Sequence, residues 1–182
     1  MLDPAVFSTI VRPNTFSEEA SLRTIVPLLL VSFLVSGCVT THQPANAPAP
    51  SNVQRIRSLY DAFGRGDVPT VLGSFDPNIV WMEAENANYA DRNPYRGPQA
   101  VGEGVFMRIG QDWSNFRVNV EQLIDGGGNV VALGRYTGTN KSTGQPLNAQ
   151  FVHVWSLQEN RIVRFQQYTD TAQFARVTGV WK

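Results

Sequence analysis

The chain reads as an α+β domain, and two patterns carry that reading. Val53, Ile56, Leu59, Tyr60 and Phe63 recur at three- and four-residue steps, which is one stripe of a helix. From Phe116 onward, long segments of strand character are separated by glycine- and asparagine-containing turns. Helices followed by a run of antiparallel strands give an α+β architecture, with helices covering one face of a curved sheet and enclosing a cone-shaped hollow.

The elements follow in order. Ser51 or Asn52 caps the first helix. Gly64 and Gly66 end it, and Asp67 caps a short second helix over residues 68–74. Asp76-Pro77-Asn78 is turn material, and residues 79–85 read as a strand. The polar segment 86–97 reads as a loop, and Gly97-Pro98 opens a helix over 99–110 with Val101, Val105, Phe106 and Ile109 as its apolar stripe. Strands are expected at 116–124, 129–138, 147–157 and 161–170, with turns at Gly126-Gly127-Gly128 and at residues 141–144.

The last hairpin turns at Glu159-Asn160, a two-residue loop in which asparagine tolerates positive φ. A regular register sets Leu157 against Ile162, Trp155 against Arg164, His153 against Gln166 and Phe151 against Tyr168. Phe151, His153, Trp155, Tyr168 and Asp170 then share one face, because side chains alternate along a strand.

The N-terminal region has a different character. Residues 25–35 form an apolar run of about eleven residues, short of the roughly 20 that a membrane span needs and suited to the core of a signal peptide. Val35-Ser36-Gly37-Cys38 resembles the lipobox of bacterial lipoproteins, in which the cysteine is lipidated and becomes the new N-terminus. Residues 1–37 are therefore expected to be a lipoprotein signal peptide, 38–51 a flexible Pro/Ala-rich tether, and 52–182 the folded domain. Val39 stands where enteric lipoproteins retained at the inner membrane carry Asp, so the resemblance implies a periplasm-facing domain anchored at the outer membrane of the bacterial envelope.

Composition narrows the function classes. With 182 residues, one ordinary domain is accommodated, and 42% apolar content supports a packed core. Fifteen basic residues balance fifteen acidic ones without a basic block, which argues against a nucleic-acid partner. Cys38 is the single cysteine, and His153 is the single histidine of the folded domain, so neither an internal disulfide nor a metal cluster is expected. The chain has no glycine-rich phosphate loop in a strand–helix context and no nucleophile elbow, and no cofactor is expected.

Several segments together, VQRIRSLYDAFGRGD, IVWMEAE, YRGPQAV, GRYTGTNKSTGQPL and FVHVWSLQENRIVRFQQYTD, resemble the SnoaL-like, ketosteroid-isomerase-related branch of the nuclear transport factor 2-like superfamily over about residues 53–175. The resemblance implies a cone-shaped barrel, a bent antiparallel sheet wrapped over three to four helices with a pocket between them, and a homodimer through the outer sheet face. The superfamily includes isomerases, cyclases, hydrolases, ligand carriers and interaction modules, so the fold alone does not select among them.

Two carboxyls open the candidate site. On a strand Trp81, Glu83 and Glu85 share a face, and a carboxyl in an apolar hollow has its charged form disfavoured, which suits a general acid or base near neutral pH. The structural alternative has the glutamates held by Arg92, Arg96 or Tyr89. His153 and Asp170 form a second candidate pair, a base with its orienting acid; alternatively, His153 is a core imidazole and Asp170 a cap for the turn at Thr171-Ala172. Tyr60, Trp81, Tyr89, Trp113, Phe151, Trp155 and Tyr168 either wall a pocket for a small apolar or aromatic molecule or make ordinary core. Polyketide cyclases carry an acid near the end of the last strand, whereas Arg164-Phe165-Gln166-Gln167 has none, and an amide does not exchange a proton near neutral pH.

The expected function is an envelope-anchored pocket protein for a small apolar or aromatic molecule, with cofactor-free acid–base chemistry of isomerase, hydrolase or cyclase type. The alternative is a non-catalytic carrier or interaction module. Cys38→Ala is expected to move the chain from the membrane to the soluble fraction; unchanged partitioning contradicts the anchor.

Overall fold

The first helix is started by its own side chains. Ser51 Oγ accepts from the Gln54 amide at 3.2 Å while Gln54 Oε1 accepts from the Ser51 amide at 2.8 Å, a capping box that opens α1 (Asn52–Gly64). The computed structural model describes residues 49–180; the expected signal peptide, Cys38 and residues 38–48 of the tether lie outside them. Among the described residues no helix is long and apolar enough to cross a membrane. Ile56, Leu59 and Ala62 are the buried residues of α1, and Tyr60 beside them reaches toward the sheet.

After α2 (Val68–Gly73) the chain enters β1 (Phe75–Met82). The expected turn at Asp76-Pro77-Asn78 falls inside this strand. Asp76 Oδ1 accepts from the Asn78 amide at 2.8 Å, and the pairing of β1 slips between Phe75 and Val80, so the turn chemistry appears as a local irregularity rather than a break. β1 ends at Met82, three residues before the expected boundary, and the chain turns at Glu85-Asn86 with Asn86 at φ 62°.

The expected loop 86–97 contains a short 3₁₀ turn (Ala90–Arg92) and β2 (Tyr95–Arg96). The expected single helix over 99–110 is three pieces: α3 (Pro98–Val101), a π-helical turn (Gly102–Phe106) and α4 (Met107–Asp112). The wide turn occurs where Tyr95 packs; a Cβ on Gly104 would lie 2.2 Å from the Tyr95 ring.

The remaining strands are β3 (Trp113–Gly126), β4 (Asn129–Asn140), β5 (Pro146–Gln158) and β6 (Arg161–Thr169), and α5 (Thr171–Thr178) closes the described chain. The sheet order is β2-β1-β6-β5-β4-β3, antiparallel throughout except for the parallel pair β1–β6. The expected hairpin turn is present, with Glu159 at φ 47° and Asn160 at φ 68°.

Its register differs from the regular one. Leu157 pairs with Ile162, but Ser156 pairs with Arg164, leaving Val163 as an extra residue. This bulge reverses the faces of everything that follows: Trp155 now opposes Phe165, His153 opposes Gln167 and Phe151 opposes Thr169. Phe165 and Gln167 are buried, while Tyr168 is 57% exposed on the outer face.

Curvature comes from β3, whose pairing with β4 slips between Ser114 and Arg117 and again between Val120 and Gln122. Gly134 lies opposite the second slip, where a Cβ would sit 2.1 Å from the Asn119 carbonyl oxygen and 2.8 Å from Phe151. Gly134→Ala is therefore expected to lower stability by about 1–3 kcal/mol or more through overpacking. Gly64→Ala, with nothing within 4 Å, is expected to be neutral or slightly stabilising. Equal chemical-denaturation midpoints for the two variants would contradict this origin of the bend.

Candidate functional site

The site is organised by the end of β1. Trp81 points into the sheet's concave side and stacks on Phe165 with centroids 3.7 Å apart. Beyond Met82 the ladder stops, and a side chain takes over: the Glu83 amide donates to Asn93 Oδ1 at 3.0 Å and the Asn93 amide group donates to the Glu83 carbonyl at 2.8 Å. This two-way clamp holds the Glu83 backbone so that its side chain stays on the Trp81 side. The carboxylate accepts from the Trp81 indole N–H at 2.6 Å and is only 3% exposed.

Burial is the largest influence on that carboxyl. It disfavours the charge and raises the pKa to about 7, against the smaller opposing pull of hydrogen bonds from Trp81 and Gln167. Neither arginine considered for Glu83 reaches it; Arg92 lies 4.0 Å from Asp91, and Tyr89 donates to Asp112 at 3.0 Å.

Across the cavity, β5 presents His153, 4% exposed, between two tyrosines. Tyr60 Oη, from α1, lies 2.7 Å from Nδ1, and Tyr136 Oη, from β4, is hydrogen-bonded to Nε2. The Trp155 indole donates to Tyr60 Oη at 2.8 Å. The Gln167 amide group donates to Tyr136 Oη at 2.9 Å, and its Oε1 accepts from the Ala84 amide at 3.2 Å, which fixes which end of the amide faces which way. Burial pulls the His153 pKa down to about 3, so the ring is neutral at physiological pH. Burial likewise holds both phenols above their ordinary range.

These groups share one cavity of about 60 Å³, with Phe63, Val105, Phe106, Ile109 and Phe165 among its apolar walls. Of the expected wall residues, Tyr60, Trp81, Tyr89 and Trp155 line it together with Glu83 and His153. Trp113 and Phe151 are buried behind the wall; Trp113 donates to Tyr89 Oη at 3.0 Å, and Phe151 stacks on His153 at 4.1 Å.

Three expected site residues lie elsewhere. Glu85 is exposed in the turn, because β1 stops before the alternation can bring it beside Glu83. Asp170 caps α5, accepting from the Gln173 amide at 2.9 Å, and so does not orient His153. Tyr168 is turned outward by the Val163 bulge. Two residues that complete the network were not singled out from sequence. The alternation of Val130, Ala132 and Tyr136 on β4 was the available signal for Tyr136. Gln167 becomes visible only once the register is known. Among the described residues no three His, Cys, Asp or Glu side chains are grouped to hold a metal ion.

The SnoaL-like domain family model matches residues 56–165. The chain is 31% identical over 119 residues to Patulin synthesis protein F of Aspergillus clavatus, covering 59% of this chain and 58% of that relative's length. An NTF2-like protein of Burkholderia thailandensis superposes with a TM-score of 0.66 at 31% identity, covering 69% of this chain and 95% of the other. TerC, crystallised with polyporic acid, superposes with a TM-score of 0.63 at 21% identity over 70% of this chain and 98% of its own, which shows shared fold.

Glu83 and His153, both buried, make opposite contributions to the pH dependence of stability. Glu83 is raised from 4.5 to about 7, so its contribution is full below about 4.5 and is lost as pH rises through 7. His153 is lowered from 6.5 to about 3, so its contribution is full above 6.5 and is lost as pH falls toward 3. Each slope has an upper limit of about 1.4 kcal/mol per pH unit, and the two offset one another between about pH 4.5 and 6.5. Glu83→Gln is expected to unmask a steady loss of stability on acidification through that window, read by denaturant midpoints. A variant profile as flat as the parent's would contradict the opposed pair.

Proposed function

The chain belongs to the SnoaL-like domain family, and from that premise we propose that it binds a small, largely apolar molecule in the cavity and moves one proton on it through Glu83. The observation that carries this reading is the position of Glu83: a carboxyl buried at an apolar cavity, with a pKa brought to about 7, held by groups that only donate. The Trp81 N–H and the Gln167 amide protons steady the carboxylate but have no lone pair to receive its proton. Ionised, Glu83 is free to accept a proton from the bound molecule; protonated, it returns it to another atom of that molecule. His153, neutral and locked between two tyrosines, positions hydroxyl groups rather than acting as the base.

The free volume of about 60 Å³ is below the roughly 150 Å³ at which an apolar cavity accepts benzene. A ligand of one ring therefore requires the half-buried rim residues Phe63, Phe106 and Ile109 to move aside. That tight fit also supports a second reading, a carrier that uses the same cavity without turnover. Crystallisation of the fold relative TerC with polyporic acid supports a small organic ligand in either case.

The same proposal places the domain on a lipid anchor at Cys38, facing the periplasm, and pairs two copies through the outer sheet face. There Leu133, Val152 and Tyr168 lie side by side on β4, β5 and β6, and Tyr168 leaves an aromatic ring exposed.

The test is recovery of a bound small molecule from the purified chain by native mass spectrometry, followed by its incubation with parent and Glu83→Gln. The expected result is retained binding with conversion slowed by about 10²–10⁴-fold in the variant. Unchanged conversion, or no recovered molecule, contradicts the reading; binding without conversion in the parent favours the carrier.

A further inference from the structure

A second hollow lies behind the first helix, outside the interior cavity. It has a volume of about 560 Å³ and runs between α1, α2 and the β5–β6 hairpin. Leu59, Leu157 and Ile162 form its apolar floor, and Leu59 also lines the interior cavity, so it is part of the partition between the two spaces.

Three charged side chains stand around that floor. Arg55 comes from α1, one turn before Leu59. Glu159 and Arg161 come from the hairpin turn and the first position of β6. Arg161 Nη1 donates to the Phe75 carbonyl at 3.2 Å, which fixes its guanidinium beside the hollow. Among the described residues the ion pairs are those of Asp91 with Arg92 and with Arg108, so Glu159 holds neither Arg55 nor Arg161. Arg55 is the more unusual of the two. Its Nε is, among the described residues, the one buried side-chain nitrogen or oxygen without a hydrogen-bond partner. A buried donor without an acceptor costs free energy, and more so when it belongs to a charged group. A turn of the side chain toward the hollow relieves that cost if it brings Nε–H and Nη–H together onto an oxyanion, the fork that a guanidinium offers best.

We propose that this hollow is a second ligand site, which takes the phosphodiester head of an anionic phospholipid and lays the first apolar part of that lipid on Leu59, Leu157 and Ile162. Two arginines against one glutamate leave a net charge of +1, which matches the single negative charge of a phosphodiester. A phosphate dianion overcharges the site and meets Glu159 as a like charge. Pro50 also lines the hollow, so the chain running back toward Cys38 leaves the domain at its edge. Twelve residues separate Cys38 from Pro50, and a coil of that length spans about 20 Å. With the lipid anchor proposed at Cys38, the hollow stays within reach of lipid heads. The site itself depends neither on that anchor nor on the ligand of the interior cavity.

The test titrates the full chain with dihexanoylphosphatidylglycerol below its micelle concentration, and separately with inorganic phosphate. Binding is read from the arginine Nε–H signals in ¹H–¹⁵N spectra, with Arg55 assigned by its absence in Arg55→Gln. The expected result is a shift of the Arg55 and Arg161 signals by the lipid and binding at least tenfold weaker for phosphate. Arg55→Gln is expected to weaken lipid binding about tenfold and Arg161→Gln about three- to tenfold. Glu159→Gln is expected to tighten it about two- to fivefold, which a merely structural role for the turn would not do. Arg55→Gln is further expected to leave the chemical-denaturation midpoint unchanged or raised, since Nε has no partner to lose. Equal affinity for phosphate and lipid overturns the assignment to a lipid head. Lipid binding that is indifferent to all three substitutions overturns the site. Lipid binding that is lost in Glu83→Gln and kept in Arg55→Gln places the lipid in the interior cavity and also overturns it, while leaving the reading of Glu83 intact.

Discussion

One extra residue in β6, Val163, decides which side chains meet in the cavity. Without it Tyr168 and Asp170 would face inward and Gln167 outward. With it Gln167 is buried between Ala84 and Tyr136, and Phe165 forms the floor under Trp81. A strand's faces are fixed by parity, so one inserted residue exchanges the whole set at once. The consequence is a polar bridge from the end of β1 to the centre of β5, joining the carboxyl of Glu83 to the imidazole of His153 through an amide and a phenol.

That bridge places two ionisable groups in one apolar enclosure without pairing them as ions. Desolvation acts on both in the direction of neutrality: Glu83 toward its protonated form, His153 toward its bare one. Among the described residues no arginine or lysine forms an ion pair with Glu83. The carboxyl is thus left close to balance at neutral pH, the condition under which it exchanges a proton most readily. The hydroxyls of Tyr60 and Tyr136 stay protonated throughout this range and serve as hydrogen-bond groups.

Much of the architecture is legible in the chain itself. The helical stripe of α1, the four long strands and the Glu159-Asn160 turn follow from periodicity and turn chemistry, and Glu83 and His153 follow from residue type in a hollow. What escaped has local causes. The bulge at Val163 has no glycine to announce it, so a regular register misplaced Tyr168 and Asp170. The strand end after Met82 depends on the Asn93 clamp, a contact across ten residues, so Glu85 was set beside Glu83. The π-helical turn depends on the Tyr95 ring occupying the space over Gly104, a tertiary demand that helix periodicity does not register. Asp170, by contrast, sits ahead of Thr171-Ala172 as an N-cap should, and its local role outweighed the partnership with His153.

The most direct measurement is a ¹³C NMR titration of the glutamate carboxyl carbons, with the Glu83 signal assigned by its absence in Glu83→Gln. A midpoint near 7 is the result expected of a desolvated carboxyl poised for proton transfer. A midpoint at the ordinary glutamate value near 4.5 would show that water reaches Glu83, and would remove the basis for its role as the proton carrier.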